Sequence, residues 1–180
     1  TDDIVLMQCN TNYTASLENF KYINLNVLKQ YRKKYPGIIL GLSDHTPGHA
    51  TVLGAVTLGA CVIEKHFTDD VTREGPDHKF SMDFNAWKNM VDRTRELEKS
   101  LGIQIKKVED NELETVVLQR RAIRAKKDLK AGSVIYANDL ECLRPCPKDA
   151  LPPYELSQVI DRKVVKDIKS GDYIKWKSIK

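Results

Sequence analysis

Apolar and polar positions follow two textures along the chain. Residues 4–9 (Ile-Val-Leu-Met-Gln-Cys) form a short apolar run closed by Asn-Thr-Asn-Tyr-Thr, the pattern of a strand and its turn. Over 17–35, Phe20, Ile23, Leu25, Val27, Leu28 and Tyr31 recur among lysines, which predicts one amphipathic helix ended by Pro36-Gly37. A second strand is predicted at 38–42, with Ser43-Asp44-His45-Thr46 at its end. The small apolar residues of 49–59 fit a helix lying close against a sheet. Cys61-Val62-Ile63 predicts a third strand, ending in Glu64, His66 and Thr68. A charged loop with Gly75 and Pro76 follows. Asp83 then opens a helix whose apolar positions Trp87, Met90, Val91 and Leu97 favour one face, and Leu101-Gly102 ends it.

Strand and helix thus alternate three times, which implies right-handed crossovers and a parallel sheet, an α/β architecture. In such sheets ligands bind at the carboxyl ends of the strands, where "CNTNY", "SDHT" and "EKHFT" all fall. Residues 104–118 turn polar and read as a linker with some helix. From 119 to 180 the texture changes to short β-prone pieces punctuated by Lys-Ala-Gly and Lys-Ser-Gly. "AKKDLKAGSVI" echoes "VVKDIKSGDYI", so two copies of one turn-and-strand device predict a small pseudo-symmetric β domain. At about 60 residues it stands near the lower size for independent folding.

Composition narrows the function classes. With 41% hydrophobic and 30% charged residues in 180, the chain reads as globular with a real core. Its net charge of +4 is modest, and the basic residues are interleaved with acids. Neither a basic stripe nor a nucleic-acid module is present, so no nucleic-acid partner is expected. No apolar run reaches the roughly 18–20 residues of a membrane span, and no signal-peptide pattern is visible; the expected compartment is the cytoplasm. Cys9 and Cys61 sit in apolar runs and are expected to be buried, while Cys142 and Cys146 lack the second pair of a zinc ribbon. All four are expected to be reduced. The chain opens on Thr-Asp-Asp-Ile without a methionine and reads as a continuation of something longer.

The rim residues carry the candidate chemistry. Two neutral imidazoles, His45 and His66, on successive strands could reach one divalent cation, each oriented by a nearby acid. Such a pair suits Mn, Fe, Co or Zn better than Mg or Ca. The alternative for either histidine is a hydrogen-bonded surface group. His49, ahead of an apolar helix, is read as a capping or packing residue.

"GLSDHT", then "GAVTLGACVIEKHFT" and "GPDHKFSM", resembles the sialic acid (nonulosonate) synthase family, and "RRAIRAKKDLKAGSVI…DLECLRP" resembles its antifreeze-like SAF domain. The resemblance covers nearly the whole chain. It implies a (β/α)8 TIM barrel, of which this chain holds the last three βα units at 1–103, then a linker at 104–118 and a β-rich SAF domain of the β-clip type at 119–180. It also implies condensation of phosphoenolpyruvate with an N-acetylated, mannose-type amino sugar to a nine-carbon 2-keto acid and phosphate, by a homodimer with swapped SAF domains. Five strands are then absent, and these residues alone are expected to be inactive.

Position by position, the resemblance implies that His45 and His66 ligate a divalent metal, usually Mn2+, which polarises the sugar aldehyde. It gives Ser43 and Thr11 to phosphoenolpyruvate, and Tyr13 and Arg144 to the sugar, Arg144 from the partner subunit's side of the dimer. Glu64 and Asp77 match acids near the metal that orient or deprotonate water, and His78 either contacts substrate or fixes its loop. After Arg144 the chain reads "CPKDALPP" where many family members have a glycine-containing loop, which bears on the choice of sugar. Two other readings stay open. One is a noncatalytic module in which the SAF-like domain binds carbohydrate or a partner; the other is a different phosphoenolpyruvate-condensing enzyme of the aldolase type.

Overall fold

The computed structural model describes residues 4–180; the opening Thr1-Asp2-Asp3 lies outside them. The chain divides into two units, Thr1–Gln104 and Ile105–Lys180. In the first, β1 (Val5–Cys9), β2 (Ile39–Asp44) and β3 (Val62–Lys65) form a parallel sheet in that order. The helices are α1 (Val27–Lys34), α2 (Ala50–Thr57) and α3 (Phe84–Leu101).

Alternation along the strands separates two faces of this sheet. Leu40 and Leu42 of β2 are buried with Leu28 of α1, Val52 and Ala55 of α2 and Met90 of α3. Each of the leucines, Val52 and Met90 contributes roughly 1.5–3 kcal/mol by leaving water. On the other face Val5, Ile39 and Val62 are exposed. Gly41 lies in register between Met7 and Val62. A Cβ there would stand 2.9 Å from both the Val62 carbonyl oxygen and the Met7 Cγ, so the three strands approach closely only with glycine at this position.

The helix expected over 17–35 is broken. Residues Leu17–Tyr22 form a 3-10 helix, Ile23 turns into the core, and Asn24 adopts φ 50° before α1 starts. The Gln8 side-chain amide donates to the Ile23 carbonyl at 2.9 Å, fixing the break against β1. A left-handed residue cannot continue a helix, and asparagine tolerates that conformation better than most. The cysteine expectation also fails for two residues: Cys9 and Cys61 are exposed. Cys9 shares the open face with Val5 by alternation, and Cys61 leads into an outer strand that pairs only with β2 among the described residues. His49 occupies the N-cap of α2, but its side chain makes no cap hydrogen bond.

α3 matches its sequence signals closely. The Asp83 carboxylate accepts from the Ala86 N–H at 2.8 Å, and Gly102 (φ 55°) ends the helix. Met90 is buried and Trp87 half-buried; Val91, expected on the same face, is largely exposed beside Phe67, Phe84 and Trp87.

The second unit begins with α4 (Leu113–Gln119) and pairs β4 (Ala122–Ala125) antiparallel to β5 (Leu140–Leu143), with α5 (Leu156–Val159) beyond. Its core gathers Ile123, Leu129, Ile135, Leu151, Val159, Val164, Ile168 and Ile174. The two echoing segments meet across an antiparallel bridge between Leu129 and Ile168. Asp128 accepts from the Ser170 N–H and the Lys169 ammonium, both at 2.9 Å. Reciprocally, Asp167 accepts from the Ala131 N–H at 2.9 Å and the Lys130 ammonium at 2.7 Å. Gly132 and Gly171 both turn at φ 85°. Each Asp-X-Lys turn is therefore closed by the other copy, as the echo predicts.

Candidate functional site

β2 and β3 deliver the site through their register. Ser43 lies opposite Glu64 and Asp44 opposite Lys65. Alternation then places Ser43 and His45 on one face with Glu64 and His66, and turns Asp44 and Lys65 to the other. On the first face the Ser43 hydroxyl donates to Glu64 Oε1 at 2.8 Å. The His45 and His66 rings are 5.1 Å apart between centroids. Tyr13, from the turn after β1, lies over His45 at 4.1 Å and meets His66 edge-on at 5.7 Å. Buried Phe80 completes the group, 5.0 Å from His66 and 5.8 Å from both His45 and Tyr13.

His45 is buried, and its Nδ1 stands 3.0 Å from the Asn10 carbonyl oxygen. A carbonyl only accepts, so Nδ1 carries a proton, and in the neutral ring Nε2 keeps its lone pair. That is the tautomer a metal-ligating imidazole needs. His66 is more open; its Nδ1 lies 3.5 Å from Asp77 Oδ2, and its carbonyl oxygen accepts from the Met82 N–H at 2.9 Å. No group of three or more His, Cys, Asp or Glu side chains converges among the described residues. The two imidazoles that could reach one cation from these residues are His45 and His66.

Glu64 pairs with neither Lys65 nor Arg73, the cations nearest in sequence. Lys65 is bound to Asp44, and Arg73 donates to Asp69, whose carboxyl its guanidinium holds below the usual carboxylate range. Glu64 is exposed, with Ser43 as its partner. His78 is half-buried, with Nδ1 2.7 Å from the Thr68 hydroxyl, and it packs on Gly75, so its ring braces the loop. Thr11 is exposed beyond the end of β1. Arg144 belongs to the second unit, where it is exposed and its Nε donates to the Gln119 carbonyl at 2.6 Å.

The structure adds four residues to the site: Asn10, Phe80, Asp44 and Lys65. Asn10 acts through its backbone carbonyl, which side-chain chemistry does not reveal. Phe80 comes from beyond a long loop. For Asp44 and Lys65 a signal was present, since each immediately precedes a site histidine and the two carry opposite charges.

A parallel α/β unit with a histidine pair and acids at the carboxyl ends of adjacent strands, followed by a small two-fold β unit, defines the class. Residues 1–106 match the sequence model of the NeuB family and residues 120–180 that of the SAF domain; the chain belongs to the NeuB family. It is 38% identical to the N,N'-diacetyllegionaminic acid synthase of Legionella pneumophila over 99% of this chain and 49% of the relative. It is 35% identical to the pseudaminic acid synthase of Campylobacter jejuni over 96% of this chain and 48% of the relative. The chain spans about half the length of these curated relatives. Among solved structures, the N-acetylneuraminic acid synthetase of Leptospira borgpetersenii, in complex with citrate, matches at 30% identity and TM-score 0.52. That match covers 62% of this chain and 38% of the solved one. No helix among the described residues is long and apolar enough to cross a membrane.

Proposed function

We propose that the polypeptide carrying this chain is a nonulosonic acid synthase, which condenses phosphoenolpyruvate with an N-acetylated, mannose-type amino sugar and releases phosphate. The observation that carries this reading is the convergence of Ser43, His45, Glu64 and His66 on one face at the ends of β2 and β3. Similarity to synthases of legionaminic and pseudaminic acid supports it. The sheet supports a barrel: its helix-free face presents Val5, Ile39 and Val62, as the lining of a closed (β/α)8 barrel would. The three βα units are read as the last three of that barrel, at 1–103, with a SAF domain at 119–180. The assembly is read as a cytoplasmic homodimer in which Arg144 serves the partner's sugar site.

His45 and His66 would hold a divalent cation, most simply Mn2+, and the free Nε2 lone pair of His45 fits that role. When bound, the cation supplies Lewis-acid polarisation of the sugar aldehyde. In the condensation, C3 of phosphoenolpyruvate bonds to the sugar's C1, and the aldehyde oxygen gains a proton. C2 is left oxocarbenium-like. Water then adds to C2 while a carboxylate, Glu64 or Asp77, accepts its proton. Loss of phosphate from C2 forms the ketone. Ser43 and Thr11 contribute hydroxyls toward phosphoenolpyruvate, Tyr13 and Arg144 line the sugar's side, and His78, expected there or as a loop brace, fits the brace.

The test is phosphate release by the full polypeptide across N-acetylmannosamine and 2,4-diacetamido-trideoxyhexoses, before and after chelation. Phosphate release with one of these sugars, lost with chelator and restored by Mn2+, is expected. Absence of release with every sugar overturns the reaction; full activity without metal overturns the ligand roles of His45 and His66.

A further inference from the structure

On the helix side of the sheet, directly behind the site, lies a buried ion pair that the chemistry above does not use. Lys65 and Asp44 are almost wholly buried as side chains, 1% and 0% exposed. The Lys65 ammonium donates to Asp44 Oδ2 at 2.6 Å and to the Thr46 carbonyl oxygen at 2.6 Å. The Asp44 carboxylate also accepts from the Thr51 hydroxyl at 2.5 Å, from the Thr46 hydroxyl at 2.9 Å and from the Thr46 N–H at 3.1 Å. Both carboxylate oxygens of Asp44 are therefore engaged, and the Lys65 ammonium is held by two acceptors.

We propose that Lys65 and Asp44 are positioning residues that set the separation and aim of His45 and His66. The argument is one of connectivity. Lys65 binds the residues on both sides of His45, Asp44 through its carboxylate and Thr46 through its carbonyl, and is itself the residue before His66. One ammonium thus links the residue before His66 to the residues flanking His45, at the point where the β2–β3 register ends. Thr51 anchors the pair to the first turn of α2, so the clamp is held from a rigid element. A buried ion pair brings little net stability over an apolar pair of the same volume, and fixing a geometry is the better-attested use of such a pair. Two ligands contributed by separate strands place a demand on geometry that one strand alone does not meet. Outer groups that orient metal ligands typically change metal affinity by about 10–100-fold when removed.

The inference rests on the ligand roles proposed for His45 and His66, and the experiment separates the two. Mn2+ affinity by calorimetry and the Co2+ ligand-field spectrum are measured on the full polypeptide, alongside the thermal melt of each metal-free variant. The variants are His45→Ala, Lys65→Met, Lys65→Arg, Thr51→Val and the double variant D44N/K65M, which removes both buried charges at once. Expected are loss of Mn2+ binding in H45A and roughly 10–100-fold weaker binding with an altered Co2+ spectrum in folded K65M or D44N/K65M. T51V weakens binding less, and K65R restores most of it. Wild-type affinity in H45A overturns the metal reading itself. Lost binding in H45A with wild-type affinity and spectrum in folded D44N/K65M and T51V overturns the clamp. If K65M does not fold, the double variant and T51V decide the question.

Discussion

Side-chain direction decides the roles of Glu64 and Lys65, neighbours in sequence on opposite faces of β3. Glu64 points to the open face and takes its hydrogen bond from Ser43, whereas Lys65 points to the helices and is consumed by Asp44. An exposed carboxylate with one hydroxyl partner is open to water; an ammonium buried against Asp44 and Thr46 is not. Glu64→Gln keeps the shape and the acceptor for Ser43 but removes the carboxylate proposed as the base. Its kcat for phosphate release is expected to fall about 10²–10⁴-fold, the usual contribution of a general base. Since Glu64 is exposed, stability should stay within about 0.5 kcal/mol of wild type by chemical denaturation. A variant with unchanged kcat would shift the base role to Asp77, the acid 3.5 Å from His66.

Elements were legible in proportion to how local their signals are. α3 announces itself with Asp83 ahead of it and Gly102 behind; the Asp83 cap forms its hydrogen bond, and the helix ends at Gly102. Asp83→Ala should cost about 1 kcal/mol of the first unit's stability through loss of the hydrogen bond to the Ala86 N–H. Asp83→Asn should recover most of it, and denaturant titration of the pair checks the cap. The segment ahead of β2 was misread because its apolar spacing fits a helix throughout, while the decisive event is a side chain on another element: Gln8 holding the Ile23 carbonyl. Periodicity cannot see that partner. Cys9 was misread for a related reason, since an apolar run does not tell which face of a sheet is covered. The placement of His45 and His66 at adjacent strand ends was legible because each follows a short apolar run of strand type. The Asp44–Lys65 pair behind them was not, because it depends on register, and register is a pairing between strands.

Over the whole chain the first unit spends its chemistry at the strand ends, and the second spends its charges on its own symmetry. Lys169 holds the Asp128 carboxyl below the usual carboxylate range, and Lys130 does the same to Asp167; Asp128 in turn raises Lys169. The direction of each shift fixes its pH window. A carboxyl depressed in the fold adds stability above its unfolded pKa of about 3.9, and that stability is lost as pH falls through the folded value. A raised lysine adds stability below its unfolded pKa of about 10.4 and loses it as pH rises through the folded value. The Asp128–Lys169 pair therefore adds most across neutral pH and weakens at both extremes, while Asp167 loses its contribution at low pH. All of these side chains are exposed, so the effect is modest and salt weakens it. Carboxyl-carbon NMR titration of the full chain should give Asp128 and Asp167 midpoints below about 3.9, both moving upward in concentrated salt. Lys169→Met should raise the Asp128 midpoint and leave Asp167 largely in place, because each aspartate is held mainly by the lysine of the opposite copy. Equal movement of both would mean that the two turns act as one charge cluster, without the pairwise exchange the hydrogen bonds describe.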